Sequence, residues 1–336
     1  MSVKVAIPYY DGPLDPSSPI AGVSTIEDTS PQIVDFVDIR PSKASFTLDN
    51  NGFQIARHDS ILSRSPYTAS SWTNQKIREE VYDPEIAELA KAVTGAKKVI
   101  ILLASARNAP FKEAESAPPY PQPSSSEEDT SRSNPSSQVK AKVLPEQPLT
   151  TRGKGFADGI REGPVRKPHK DWGTLGARNT LRNWSHDLRT EAQDIFEAED
   201  EAESLPGGIT KNYQGRRWAL YTTWRPLKPV RRDPMGYVDY FSSTENDGVS
   251  FWRSPPGING PFRSDVVLTK ANPQHRWYWL SDQTPDEVLF MKIFDTESEK
   301  ELSSVAGGVH HCSFHIPGTE QEEVRESLET KFIAFW

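Results

Sequence analysis

From residue 216 onward the chain is a series of short aromatic and β-branched runs, and this pattern leaves few folds open. The runs are RRWALYTTW (216–224), GYVDYFS (236–242), DVVLTK (265–270), HRWYWLSD (275–282), EVLFMKIFD (287–295), GGVHHCSFH (307–315) and SLETKFIAFW (327–336), parted by Pro, Gly, Asp and Asn clusters. Each suits a pleated, half-buried surface better than a helix. Many short strands with few helices between them predict an antiparallel sandwich or jelly roll, whose two facing sheets enclose a cavity with an open mouth. Nine Trp and fourteen Phe supply the bulk for a sizeable core.

The first half reads as support for that core. Residues 1–34 are rich in Pro and Ser and predict an irregular arm. In FTLDNNGFQIARHDS (46–60), Asn50-Asn51-Gly52 predicts a turn between two short strands. DPEIAELAKAVTG (83–95) predicts a helix with Asp83 as N-cap, Pro84 at the first helical position and Gly95 as the stop, followed by the buried strand KKVIILLASAR. Residues 109–150 are dominated by Pro, Ser and acidic side chains, which bury too little apolar surface to offset ordering entropy. The expected organisation is an N-terminal arm and αβ layer over 1–108, a disordered low-complexity insertion over 109–150 and a catalytic core over 151–336, with 35–108 integrated into it. The segment 178–205 has helical composition and period, and no internal repeat is visible.

Bulk charge narrows the function. The 47 Asp and Glu outnumber 39 Lys and Arg, giving a net charge of −8, which argues against a general binder of nucleic-acid phosphates. Cys312 is the single cysteine, so no intrachain disulfide forms and a reducing, cytoplasmic location is expected. The N-terminal stretch lacks the apolar core of a signal peptide, and the longest clean apolar run, Val99 to Ala104, is far short of a membrane span. No helical heptad demands a partner, so oligomeric state stays open.

The chemistry-bearing residues form a split constellation. His169-Lys170-Asp171 follows Pro168, which favours extended backbone, and on a strand residues i and i+2 share a face. Two imidazoles and one carboxylate can occupy one face of an octahedral Fe(II), leaving three adjacent positions open. Among His310, His311 and His315, His311 stands fourteen residues before Arg325, an interval that a hairpin through IPGTEQE can close. His310 then faces away and His315 is a structural, hydrogen-bonded residue. Arg325 and Ser327 share a strand face and together suit an anionic carboxylate. Cys312 fits a small core residue better than a ligand, and His58, His186 and His275 lack any partner pattern. Arg225 could pair with a substrate carboxylate or make a structural salt bridge. Tyr213, Trp224, Phe332 and Phe335 are candidate pocket walls or ordinary core, while Lys292 and Asp295, on an expected hairpin RWYWLSDQTPDEVLFMKIFD, suggest a scaffold ion pair.

With these residues in view, the chain resembles the fungal CmcJ/NvfI-like (AsaB-type hydroxylase/desaturase) family of non-haem oxygenases. The resemblance rests on FTLDNNGFQIARHDS, PHKDW, TTWRPLKPVRRDPMGYVD (222–239), HRWYWLSDQTPDEVLFMKIFDTES (275–298) and HHCSFHIP followed by VRESLE. It implies a mainly β protein with flanking helices on a double-stranded β-helix (jelly-roll, cupin-like) core. It also implies Fe(II) held by His169, Asp171 and His311, with 2-oxoglutarate held by Arg325 and Ser327, and O2 as oxidant. Relatives commonly carry Pro and then a single His where His310-His311 stand, and the insertion is outside the pattern. The implied function is hydroxylation, desaturation or oxidative cyclisation of a small natural product, with ring closure on an amino-acid substrate as one alternative. A non-catalytic metal- or ligand-binding barrel is another. A zinc hydrolase is a third option, but nothing in the chain singles out its general base.

Overall fold

The computed structural model describes residues 2–13, 23–111, 163–253 and 264–336. Within them two facing sheets carry the fold. The larger has eight strands in the order β1 (Ser2–Tyr10), β2 (Thr29–Asp38), β10 (Trp277–Trp279), β7 (Met235–Val238), β12 (His311–Ser313), β5 (His169–Lys170), β9 (Ser264–Thr269) and β8 (Gly248–Arg253). The smaller has five, β3 (Phe53–Arg57), β11 (Glu287–Asp295), β6 (Trp218–Pro226), β13 (Ser327–Phe335) and β4 (Lys98–Arg107). Every strand pairing is antiparallel except that of β2 with β10. The expected β sandwich is therefore present.

Register decides which residues look inward, because directly paired residues share a face. On the small sheet Thr222 and Trp224 of β6 pair with Lys331 and Glu329 of β13, and with Met291 and Leu289 of β11. On the large sheet His311 pairs with both His169 and Tyr237. Contacts of Asp171 with Thr222 and Lys331 join the two rows across the interior. The outer face of the small sheet packs Tyr221, Phe290 and Phe332 against Ala90 of the helix Asp83–Thr94. Helices Thr174–Asn183, His186–Glu191 and Gln193–Ser204 cover Trp218, Leu220, Ile333 and Phe335.

Several local expectations are corrected. The first residues are no irregular arm, since β1 and β2 form a nine-pair hairpin at the edge of the large sheet. Asn50-Asn51-Gly52 does not join two strands. Thr47 Oγ1 accepts from Asn50 N at 3.2 Å and closes a helical turn, Leu48–Asn51, so only β3 follows, paired with β11. Asp83 is not an N-cap, because helical backbone already runs through Arg78–Tyr82, although Gly95 does end the helix at φ 74°. The 178–205 helix is broken at Ser185, whose Oγ accepts from Leu188 N at 3.2 Å, and again at Ala192. Segments 275–282 and 287–295 form no hairpin, and neither does the stretch through IPGTEQE, since β10 and β12 lie in the large sheet and β11 and β13 in the small one. The expected insertion lies outside the described residues from 112 onward. Among the described residues no helix is long and apolar enough to cross a membrane.

Candidate metal and co-substrate site

Three donors meet between the sheets. His169 sits on β5, between β12 and β9, and the chain then turns at Gly173 into the helix Thr174–Asn183. Asp265 fixes that turn by accepting from Gly173 N at 3.0 Å and Gly176 N at 2.6 Å, and a Cβ on Gly173 would lie 2.1 Å from Asp265 Oδ2. His311 opens β12 after Gly308, whose backbone passes so close to β11 that a Cβ would sit 1.9 Å from the Ile293 carbonyl oxygen. Small residues at these two points let the ligand-bearing segments reach the interior.

His169 Nδ1 donates to the Lys167 carbonyl at 2.8 Å, and His311 Nδ1 faces the Val309 carbonyl at 3.4 Å. Each bond leaves Nε2 as the acceptor atom, as metal ligation requires. His169 Nε2 lies 3.9 Å from Asp171 Oδ1, and His311 Nε2 lies 3.7 Å from Asp171 Oδ2. All three donor atoms fall within 4.8 Å of one another, and all three residues are buried. Burial, helped by His311, pushes the His169 imidazole down to about 3. Burial alone would raise the Asp171 carboxyl, but Lys331, His311 and His169 more than offset it and hold it well below the usual range. Neutral imidazole beside ionised carboxylate is the donor state that a divalent cation needs. The set fits Fe(II). No thiolate intrudes, because Cys312 is buried in the core behind β12 and burial pushes its thiol well up.

The second half of the constellation lies on β13 and the residues leading into it. Arg325 Nη1 donates to the Asp233 carbonyl at 2.8 Å and to Ser313 Oγ at 3.3 Å. Asp233 presents that carbonyl from left-handed backbone, φ 53°, which costs an L-residue about 1 kcal/mol. The Trp224 ring lies beneath the guanidinium at 5.3 Å. Arg325 is 6% exposed and Ser327 1%, yet among the described residues Arg325 Nε and Ser327 Oγ have no hydrogen-bond partner. Such groups buried unpaired among the described residues cost roughly 1–3 kcal/mol each, so they suit an acceptor such as a bound carboxylate. Burial, then the neighbouring Arg107, pushes the Arg325 guanidinium down to about 9, which an incoming carboxylate would reverse. Both observations fit the far carboxylate of 2-oxoglutarate.

Other expectations sort cleanly. Arg225 faces the outer layer and is spent there: Nε donates to Tyr82 Oη at 2.9 Å, and Nη1 to the carbonyls of His58 and Pro285 at 3.0 and 2.7 Å. These donors serve the scaffold through neutral partners, not through the salt bridge expected. Trp224 adjoins the site, whereas Phe332 lies in the outer cluster and Tyr213 and Phe335 in the helical one. His310 is buried on the opposite face of the strand, 2.7 Å from Thr269 Oγ1, and His315 bonds Glu320 at 2.8 Å. Lys292 pairs with Asp295 at 2.7 Å as a scaffold ion pair. Sequence reasoning missed Glu329 and Lys331. Their signal was polarity at every second position, Ser327, Glu329 and Lys331, in a strand buried throughout whose other residues are apolar apart from Thr330.

Acid should weaken the metal-free protein through this site. His169 titrates near 3 when folded but near its ordinary 6.5 when unfolded. Between those values the unfolded chain holds more protons, so the stability from His169 is complete above about 6.5 and is lost as pH falls towards about 3. Asp171 acts in the same sense below its ordinary value. Urea denaturation of metal-free protein across this range should show a fall in stability that is shallower in His169→Gln. Equal slopes would refute the assignment.

Comparison with known proteins places these features in context. A family model described as "Oxidoreductase/YMDC permease-like domain" matches residues 9–335. A "Gibberellin cluster GA4 desaturase" of Gibberella fujikuroi is 66% identical over 335 residues, covering 100% of this chain and 96% of that protein. The "Alpha-ketoglutarate-dependent dioxygenase tstK" of Talaromyces stipitatus is 28% identical over 300 residues, covering 89% and 83%. A solved structure of the "iron and alpha-ketoglutarate-dependent endoperoxidase NvfI with different conformation" superposes with a TM-score of 0.63 at 17% identity, over 99% of this chain and 98% of that chain. At that identity the likeness speaks for the fold, a jelly-roll core.

Proposed function

This chain belongs to the fungal CmcJ/NvfI-like family of Fe(II)- and 2-oxoglutarate-dependent oxygenases, and from that premise we propose that it desaturates a gibberellin. It is an oxidoreductase using Fe(II), 2-oxoglutarate and O2 on a small molecule. In our proposal His169, Asp171 and His311 hold the iron, while Arg325 and Ser327 hold the co-substrate. One observation carries the site assignment: two buried donors unpaired among the described residues, Arg325 Nε and Ser327 Oγ, accompany the three metal-type donors between the sheets.

Each residue then has a task. Arg325, aimed by the Asp233 carbonyl and Ser313, offers its Nε edge to the far carboxylate, with the Ser327 hydroxyl donating alongside. Trp224 walls the guanidinium on one side and helps to keep water out. His169 and His311, each turned by a backbone carbonyl, present Nε2. Bound iron, with O2 and 2-oxoglutarate, supplies an oxidant able to take hydrogen from an unactivated C–H bond. The protein contributes position and a dry site.

The substrate class rests on the 66% identity to the gibberellin desaturase, which spans the whole chain. Purified protein supplied with Fe(II), 2-oxoglutarate and O2 should convert GA4 to a product two hydrogens lighter, with one succinate formed per turnover. Mass spectrometry of the product beside succinate quantification checks this. Absence of gibberellin-dependent succinate and of any dehydrogenated product would refute the substrate assignment.

A further inference from the structure

Lys331 touches the metal-type donors directly, and it has no part in the functions assigned so far. Its ammonium donates to Asp171 Oδ2 at 2.9 Å, to Glu329 Oε1 and, at 3.4 Å, to Thr222 Oγ1. Thr222 itself donates to the same Asp171 Oδ2 at 3.2 Å. The Trp172 ring lies 5.4 Å from the ammonium, and the residue is buried. Two donors from the small sheet thus fasten one oxygen of a carboxylate borne by the large sheet. A buried lysine–glutamate pair is weak support for folding, since an apolar pair of similar volume is often as stable. Its place in the interior calls for another explanation.

We propose that Lys331 is a positioning residue that, with Thr222, engages Asp171 Oδ2 so that the carboxylate meets the metal through one oxygen. A carboxylate free to turn could take two positions on the ion and occupy one that the chelating co-substrate and O2 need. The inference rests on His169, Asp171 and His311 being the metal site, and its test separates the two failures.

The test uses Co(II) in place of Fe(II) on full-length protein, read by titration and by the visible spectrum at saturation. The double variant Lys331→Met with Glu329→Gln removes the pair without leaving either charge buried alone. It should bind Co(II) about 10–100-fold more weakly than the wild type, the usual cost of losing an outer-shell partner. Its saturated spectrum should also be weaker per ion, as expected when a second carboxylate oxygen raises the coordination number. Lys331→Arg keeps a donor on Oδ2 and should retain the wild-type spectrum, which a merely structural role would not predict. A folded double variant with wild-type affinity and spectrum overturns the proposal. So does a folded Lys331→Arg protein with a spectrum that departs from wild type. If wild-type protein binds no Co(II), or binds it equally well after His169→Ala, the metal site itself is refuted.

Discussion

His311→Ala should abolish metal binding and 2-oxoglutarate turnover, while its neighbour His310→Ala should retain both. The two residues are adjacent in sequence, but β12 points them to opposite faces. His311 Nε2 lies 3.7 Å from Asp171, whereas His310 lies against Thr269 Oγ1 at 2.7 Å. Loss of an outer-shell partner alone typically costs about 10–100-fold in metal affinity, so loss of one of three protein ligands should cost well beyond 100-fold. Either substitution leaves a small cavity and one lost hydrogen bond, about 1–3 kcal/mol of stability, and both proteins should stay folded. Fe(II) titration and succinate formation, run on the pair, check the outcome. Equal effects at 310 and 311 would mean that position near the site, rather than ligation, was being measured.

Arg325→Met should raise the KM for 2-oxoglutarate while changing kcat far less. A clamp on the non-reacting carboxylate holds ground state and transition state alike, so its loss appears in binding. Truncating one partner of a buried charge pair costs about 2–5 kcal/mol, or roughly 30- to several-thousand-fold in affinity. Stability should change much less. Methionine forfeits the bonds to Asp233 and Ser313 but removes a cation that burial and Arg107 already disfavour. Arg325→Lys should rescue little, because an ammonium lacks the planar fork that matches a carboxylate. Succinate formation measured against 2-oxoglutarate concentration checks this, and an unchanged KM would remove Arg325 from the co-substrate site.

The fold class and the nearness of His169 to Asp171 were legible because both rest on short-range rules. Short aromatic and β-branched runs mark strands such as β11 and β13, and i, i+2 spacing puts His169 and Asp171 on one face. The same rule parts His310 from His311. What escaped depends on register between distant segments. Nothing local says that Lys331 will meet Asp171, 160 residues away, or that the Asp233 carbonyl will aim Arg325. The β1–β2 hairpin was hidden by Pro8 and Pro31, which face each other across it on an edge where a missing N–H is tolerated. Asn50-Asn51-Gly52 misled because Thr47, three residues before Asn50, offered a helix cap that a turn motif does not reveal. Sequence leaves Arg225 open between two roles, because its partners Tyr82 and His58 are distant in the chain.

The most direct test is the visible spectrum of the wild-type protein under anaerobic conditions, with Fe(II) and 2-oxoglutarate added separately and then together. A weak charge-transfer band should appear only when both are present. His311→Ala should lack it, and Arg325→Met should need far more 2-oxoglutarate to develop it. No band from the complete wild-type mixture, or an undiminished band in His311→Ala, would contradict the account.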